Sequence, residues 1–128
     1  MPALESYALL LQGLAAQAGL DAGQLLASEE IVIDGVAVAL SQAGACLQCV
    51  CEVAQLPLEP PQELLHLLLQ ANTLGAPTRG ATLGLLASRD ALVLARRIPL
   101  DSSAQLAART CRDLAAMSVL WAAVLPQT

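Results

Sequence analysis

The segment of the sequence that most constrains the fold runs from Leu64 to Asp101 and reads LLHLLLQANTLGAPTRGATLGLLASRDALVLARRIPLD. It begins with a leucine-rich stretch typical of an apolar helix and continues through a Gly/Pro turn. Two apolar stretches follow, separated by the polar turn Ser88-Arg89-Asp90, and they are typical of strands. The segment therefore predicts a helix and two strands, and none of its residues has the surroundings of a catalyst.

The composition of this 128-residue chain is unusually apolar for its size. Hydrophobic residues make up 56% of it and charged residues 13%, whereas charged residues usually make up about 25% of a domain. A single domain of this length has too much surface for its volume to bury all of its apolar side chains. Exposed apolar patches usually mark interaction sites, so we expect an oligomer that binds polypeptides.

The first half of the chain predicts one helix and three strands. Residues 3–18 repeat apolar side chains at spacings of three and four, as one face of a helix does. Two apolar runs, 31–33 and 36–40, flank Asp34-Gly35, a pair typical of a type I′ hairpin. Residues 46–54 alternate as a third strand would, and one face carries Leu47, Cys49, Cys51 and Val53.

The second half predicts a helix, two strands and a last helix. Pro60-Pro61 can begin a helix that is apolar nearly all round, as buried helices are. Strands are predicted at 81–87 and 91–98. Ser102 and Gln105 can form a capping box for the last helix, whose inner stripe would be Leu106, Leu114, Met117, Trp121 and Leu125.

These elements predict an α+β fold in which helices pack on a twisted antiparallel sheet. The order is helix, three strands, helix, two strands, helix, and residues 1–128 form a single domain. Because the second helix is too apolar for the surface of a monomer, we expect it to lie in a homodimer interface.

The sequence argues against a membrane span and against nucleic acid. The longest run without charge, between Asp34 and Glu52, is interrupted by polar residues, and the N-terminus has no basic region. We therefore expect a cytoplasmic protein that does not insert into membranes. Binding phosphates takes clustered basic residues, whereas the net charge is −5, lysine is absent and only Arg96-Arg97 are adjacent.

The four cysteines are candidate metal ligands. Structural zinc needs four ligands, and only Cys111 and His66 could complete the set begun by the third-strand cysteines. Strand geometry sends Cys46 to the face opposite Cys49 and Cys51. Free cysteines are commonly buried, and disulfides are not expected in the cytoplasm, so we predict packing residues and no metal or other cofactor.

No catalytic constellation is found elsewhere. His66 lacks a nearby nucleophile and orienting group, so it is predicted to be a surface or interface residue of the second helix. Gly75 and Gly80 have the spacing of a phosphate loop, but Ala81-Thr82 follow where Lys-Ser/Thr is required. A small enzyme that uses Cys49 or Cys51 as nucleophile remains an alternative, which thiol reactivity can test.

Short motifs follow one another in a characteristic order along nearly the whole chain. The most specific is Leu68-Leu69-Gln70-Ala71-Asn72 followed by Gly80-Ala81-x-Leu83-Gly84-Leu85. The others are Tyr7-x-x-Leu10-Leu11-x-x-Leu14, Gly19-Leu20, Ile33-Asp34-Gly35, Leu56-Pro57, Ile98-Pro99-Leu100 and Trp121. In this order the chain resembles the class I type III secretion chaperones, the Tir-chaperone (CesT-like) family. It departs from them in having no phenylalanine, with Met117 where an aromatic residue is common, and in its cysteine-rich third strand.

The resemblance implies a small acidic homodimer without enzymatic activity. Such chaperones bind the N-terminal chaperone-binding region of a secreted effector in extended form and keep it soluble and secretion-competent. They deliver it to a secretion ATPase and stay in the bacterial cytoplasm. A regulatory protein of the same fold, of the anti-activator type, is the alternative that sequence does not separate from an escort.

We predict two surfaces for these roles. The dimer interface would comprise the second helix with the fourth and fifth strands: Leu65, Leu68, Leu69, Leu83, Leu85, Leu92 and Leu94. The effector would contact the first helix and first three strands: Leu10, Leu14, Ile31, Ile33, Val38, Leu47 and Cys49.

Overall fold

The computed structural model describes residues 3–55, 62, 63, 66, 82–86 and 91–124 of the chain. It contains an α+β fold of three helices and five strands within these residues. In chain order they are α1 (Ala3–Ala18), α2 (Ala22–Ser28), β1 (Glu30–Ile33), β2 (Val36–Ala43), β3 (Cys46–Gln55), β4 (Thr82–Leu86), β5 (Ala91–Pro99) and α3 (Ala104–Val124). None of these helices is long and apolar enough to cross a membrane.

The short helix α2 is the one described element that the sequence analysis did not predict. Asp21 caps its first turn by accepting a hydrogen bond from the backbone N–H of Gln24 at 3.1 Å. Glu29 ends it in the left-handed conformation, with a φ of 51° and its N–H bonded to the Leu25 carbonyl. The helix has only 7 residues and one buried side chain, Leu25, so it carries too little apolar periodicity to be recognised.

The hairpin predicted at Asp34-Gly35 is confirmed. Their φ angles are 51° and 82°, the two positive values that a type I′ turn requires. Ile33 and Val36 pair directly across the turn, so β1 and β2 continue from it as an antiparallel ladder. The turn thus sets which side chains of the two strands share a face.

All five strands form one antiparallel sheet in the order β1-β2-β3-β5-β4. The sheet has β1 and β4 as its two terminal strands, and β5 lies between β4 and β3. A register shift between Glu52 and Ala54 marks a bulge in β3 opposite β5. The predicted strands at 81–87 and 91–98 are therefore confirmed in their described parts as β4 and β5.

The core lies between one face of the sheet and the helices. Helix α3 packs across β1, β2, β3 and β5, and α1 packs on α3 and α2. Each fully buried leucine-sized side chain contributes about 1.5–3 kcal/mol relative to exposure. The largest fully buried side chains among the described residues are Leu11, Leu14, Val38, Leu47, Cys49, Cys51, Leu92, Leu94, Thr110, Cys111 and Leu114.

The polar side chains of α3 that enter this core are hydrogen-bonded. The hydroxyl of Thr110 donates to the Leu106 carbonyl at 2.8 Å, and that of Ser118 donates to the Glu52 carbonyl of β3 at 3.1 Å. The second bond ties the last helix to the bulged part of the sheet. Among the described residues, no buried side-chain nitrogen or oxygen lacks a partner.

The start of α3 corrects one sequence prediction. The hydroxyl of Ser103, and not that of Ser102, accepts the N–H of Leu106 at 3.1 Å, so Ser103 is the N-cap. The predicted inner stripe is confirmed by the burial of Leu114, Met117 and Trp121, but Leu106 is exposed and Leu125 lies outside the described residues.

The helix predicted after Pro60-Pro61, which is not α2, lies largely outside the described residues. Gln62, Glu63 and His66 are helical and exposed, which agrees with the prediction that His66 is a surface residue of a helix. The predicted interface residues Leu65, Leu68 and Leu69 are outside the described part of the chain.

Candidate polypeptide-binding surfaces

The residues predicted to contact an effector lie together, but in the interior of the protomer. The side chains of Leu10 and Leu14 on α1 face the core, and Ile33 of β1 is half-buried against it. The others are buried in the same cluster: Ile31, Val38, Leu47 and Cys49. In the described chain these side chains hold the helices on the sheet, and their contact with an effector stays a prediction.

Three residues of the predicted dimer interface also belong to this core. Leu83, Leu92 and Leu94 are buried between β4, β5 and the helices. Leu85 pairs with Leu92 in the β4–β5 ladder. The interface therefore stays a prediction, while Leu83, Leu92 and Leu94 already have packing partners within the protomer.

The outer face of the sheet, opposite the helices, carries one row of small apolar side chains, beside the paired polar residues Gln48 and Arg97. Alternation places Ala39, Val50 and Ala95 on this face, and they pair in one row across β2, β3 and β5. At the edge, Val32 of β1 pairs with Ala37. Val32 is 60% exposed, and Ala37 and Ala39 are exposed. Short side chains leave the backbone accessible, so a flat polypeptide segment can approach it closely.

The helices present exposed apolar side chains as well. Leu9 of α1 is half exposed, and Val119 and Leu120 lie on the outer side of α3. Exposed residues of this size are normal singly, but adjacent ones extend the apolar surface. On the outer sheet face, by contrast, Ala39, Val50 and Ala95 are direct neighbours by register and form one continuous row.

The first strand offers an open edge. In the described part of the chain β1 pairs only with β2, so the other side of Glu30–Ile33 has no strand partner. Unpaired N–H and C=O groups of an edge strand can accept an added strand from another polypeptide. The exposed Val32 lies in this strand, so a backbone ladder and an apolar contact are available at one place.

A thiol cluster lies between β3 and α3. Cys49 and Cys111 are fully buried, with their sulfur atoms 4.0 Å apart, and Cys51 donates to the Ala37 carbonyl at 3.5 Å. The hydrogen bond to Cys49, together with burial, raises the pKa of the Cys111 thiol, and burial raises that of Cys51. The hydrogen bond from Cys111 lowers the pKa of Cys49, but a reactive cysteine also needs solvent access, and all three thiols are buried. This is therefore the environment of packing residues.

The predicted separation of the cysteines on β3 is confirmed. Cys46 pairs with Pro99 near the end of the ladder and is half-buried, whereas Cys49 and Cys51 are buried on the helix side. Among the described residues, no group of three or more His, Cys, Asp or Glu side chains is placed to hold a metal ion.

Comparison with known proteins identifies the family. The Tir chaperone protein (CesT) family matches residues 9–112, from α1 into α3. The chain belongs to this family. The resemblance drawn from the sequence motifs is therefore confirmed. Among curated proteins, none matches the sequence of this family member.

Solved structures share its fold. A chain of the heterodimeric ExoU-SpcU complex from the type III secretion system of Pseudomonas aeruginosa has a TM-score of 0.71 at 19% identity, covering 91% of this chain and 98% of that chain. A chain of the ExsC-ExsE complex has a TM-score of 0.70 at 18% identity, covering 93% and 92%. A chain of the HopA1-SchA chaperone-effector complex has a TM-score of 0.66 at 17% identity, covering 93% and 94%.

Sequence reasoning missed the outer face of the sheet. The sequence already contained an apolar pattern at outward positions. In β2 these positions include Ala37 and Ala39, and in β3 Val50 lies between the inward-facing Cys49 and Cys51. Alanine and valine at outward positions are apolar where solvent-facing strands usually carry polar residues. The row became recognisable once the register placed Ala39 beside Val50 and Val50 beside Ala95.

Proposed function

We propose that this protein is a class I chaperone of a type III secretion system that binds the N-terminal chaperone-binding region of an effector. The observation that carries the proposal is membership of the Tir chaperone protein (CesT) family over residues 9–112. One chain of the ExoU-SpcU complex has the same fold, and that complex comes from a type III secretion system. One chain of the HopA1-SchA complex, which is a chaperone-effector complex, has this fold as well. The chaperone keeps its client soluble and secretion-competent, passes it to the secretion ATPase and remains in the cytoplasm.

The physical basis of client binding is an extended segment laid on the sheet. The open edge of β1 supplies backbone hydrogen-bond partners, and Val32 with the alanines of β2 supplies an apolar contact. Backbone bonds contribute affinity with little dependence on sequence, while side-chain contacts select the client. Because both are available at β1, the protein works by binding an extended client.

Co-expression with the protein encoded beside it tests the proposal. We expect the two to elute together in size exclusion and the client to be insoluble alone. Val32→Asp should reduce co-elution, because it places a charge on the apolar edge. Val119→Asp is the matched control, since that valine is 55% exposed on α3, against 60% for Val32. A client that is equally soluble alone and elutes separately would contradict the proposal.

A homodimer completes the proposal. The predicted interface lies on the helix expected after Pro60-Pro61 and includes Leu65, Leu68 and Leu69. The apolar character of that predicted helix supports the homodimer. Leu68→Asp should give a monomer or an aggregate by light scattering. Leu120→Asp, on the exposed side of α3, should leave the dimer intact. A dimeric Leu68→Asp protein would mean that another surface forms the dimer.

A regulatory role is the second candidate, in which the partner is an anti-activator-type component and not an effector. The observation that favours it is the shared fold with a chain of the ExsC-ExsE complex, at a TM-score of 0.70. Mass spectrometry of the co-eluting partner separates the two roles. An effector that is exported supports the escort, whereas a partner that controls transcription of the secretion genes supports the regulator.

A further inference from the structure

A polar cavity of about 480 Å³ opens beside β5. Its lining residues are Gln48, Thr82, Ala95, Arg96 and Arg97. Thr82 is the first residue of β4 and pairs with Ala95, so the cavity lies where β4 begins. Ala95 and Arg97 occupy alternate positions of β5 and pair with Thr82 and Gln48 respectively, so these four residues share the outer face of the sheet and the cavity opens on that face.

One of the two guanidinium groups is held in place. Arg97 donates from Nε to Oε1 of Gln48 at 2.8 Å, and the two residues are directly paired between β5 and β3. This bond uses one of the five N–H donors of the guanidinium and orients its plane. The remaining donors are on the two terminal nitrogens, which can bind a carboxylate in bidentate geometry. A guanidinium that is already oriented loses less conformational freedom when a ligand binds.

Within the part of the chain that the structure describes, the arginine pair has no counter-charge. Arg96 is half-buried and pairs with the fully buried Cys49, where removing a charge from water is costly unless the charge is paired. Among the described residues, neither guanidinium is in an ion pair with a carboxylate. The chain as a whole has a net charge of −5, so the only adjacent arginines concentrate positive charge at one cavity of an acidic protein.

We propose that the cavity formed by Arg96, Arg97, Gln48 and Thr82 binds an acidic side chain, Asp or Glu, of the bound polypeptide. The inference rests on the proposed function, because it takes the client as the source of the carboxylate. The planar guanidinium of Arg97 binds the carboxylate, Arg96 adds a second positive charge, and the Thr82 hydroxyl can donate a further hydrogen bond. Acidic residues in the client's bound segment thereby fix its position along the sheet.

The test uses the full-length protein and a displayed library of random 20-residue peptides as the probe. Peptides are selected on the wild-type protein and then measured on two double variants. Arg96→Gln with Arg97→Gln removes the site charges. Arg109→Gln with Arg112→Gln, on the exposed side of α3, changes the net charge by the same amount and is the matched control. Circular dichroism and thermal unfolding establish that both variants are folded.

We expect the selected peptides to be enriched in Asp and Glu over the library. Their affinity should fall about tenfold or more on the Arg96/Arg97 variant, the effect of losing one charge-assisted hydrogen-bond pair, and less than about twofold on the control. Replacing the acidic residue of a selected peptide with its amide should cause a similar loss on the wild-type protein and almost none on the Arg96/Arg97 variant.

Three other outcomes overturn the inference, and they are distinguishable. If peptides bind both variants as tightly as the wild type, the cavity does not bind the carboxylate and the proposed function stands. If light scattering shows that only the Arg96/Arg97 variant loses its dimer, the carboxylate comes from a second copy of this chain. If no peptide is selected, binding of extended polypeptides fails and the inference fails with it.

Discussion

Tyr7 of α1 donates its phenolic O–H to the carboxylate of Glu29 at 2.5 Å, joining two residues that are 22 positions apart. Glu29 ends α2 in the left-handed conformation and directly precedes β1. The bond therefore fixes the first helix against the point where the chain enters the sheet. Burial and this hydrogen bond raise the pKa of Tyr7 well above its ordinary value of 10.0.

The raised pKa predicts a loss of stability at alkaline pH. Above about pH 10 the unfolded state releases the tyrosine proton while the folded state keeps it. The contribution of Tyr7 is thus fully present below that pH, and it falls by up to about 1.4 kcal/mol per pH unit as the pH rises towards the folded-state pKa. Urea unfolding of the wild type and of Tyr7→Phe at several alkaline pH values measures this difference.

The chain offers an independent measurement because Tyr7 is its only tyrosine. Tyrosinate absorbance near 295 nm should appear at about pH 10 in urea but only at higher pH in the folded protein. In Tyr7→Phe the signal is absent, and the alkaline loss of stability should be smaller. Ionisation of the folded protein near pH 10 would show that the Tyr7–Glu29 bond is not maintained in solution.

Gly13 predicts a second, steric effect. A Cβ added at this position of α1 would lie 2.9 Å from the Cβ of Ala104, at the start of α3. Gly13→Ala should gain about 1 kcal/mol of helix propensity, but the clash should cost about 1–3 kcal/mol, giving a net destabilisation. Adding Ala104→Gly removes the opposing methyl, so the double variant should be more stable than Gly13→Ala. A Gly13→Ala protein more stable than the wild type would mean that the helices separate at little cost.

The elements that sequence reasoning predicted correctly are those with a local signal. Asp34-Gly35 specifies its own turn, and the alternation in β3 needs no information from elsewhere in the chain. Helix α2 was missed because its seven residues contain less than two turns of periodicity. Family membership was recognisable because motif order extends over the whole chain, although no single motif decides it.

The assignment of surfaces depended on information that periodicity does not contain. Alternation shows that Leu92 and Leu94 share a face, but not whether a helix of the same chain or a second copy covers it. The structure brings α3 over that face and makes these residues part of the protomer core. Likewise, the contact between Gln48 and Arg97 depends on β5 pairing with β3, which are not consecutive strands.

The cap of α3 predicts different effects for two neighbouring serines. The Ser103 hydroxyl accepts the N–H of Leu106, a backbone donor that has no partner within the helix. Ser103→Ala should therefore lower the free energy of unfolding by about 1 kcal/mol. Ser102→Ala is the control and should change it by less than about 0.5 kcal/mol. Equal effects would restore the capping role that the sequence favoured for Ser102.

The four thiols should differ in reactivity according to their burial. Cys46 is half-buried, whereas Cys49, Cys51 and Cys111 are buried. The raised pKa values of Cys51 and Cys111 also lower their thiolate fraction at neutral pH. A chromogenic disulfide reagent should therefore react quickly with Cys46 alone and with the others only as the protein opens.

Cys46→Ala is the variant that decides this prediction. It should remove the fast phase and leave three slow thiols whose rate rises with urea, because opening of α3 from β3 limits their access. Its stability should change little, since Cys46 is not among the core residues. A fast thiol that persists in Cys46→Ala would identify a reactive Cys49, Cys51 or Cys111. That outcome would favour the nucleophilic enzyme over a protein whose cysteines serve packing.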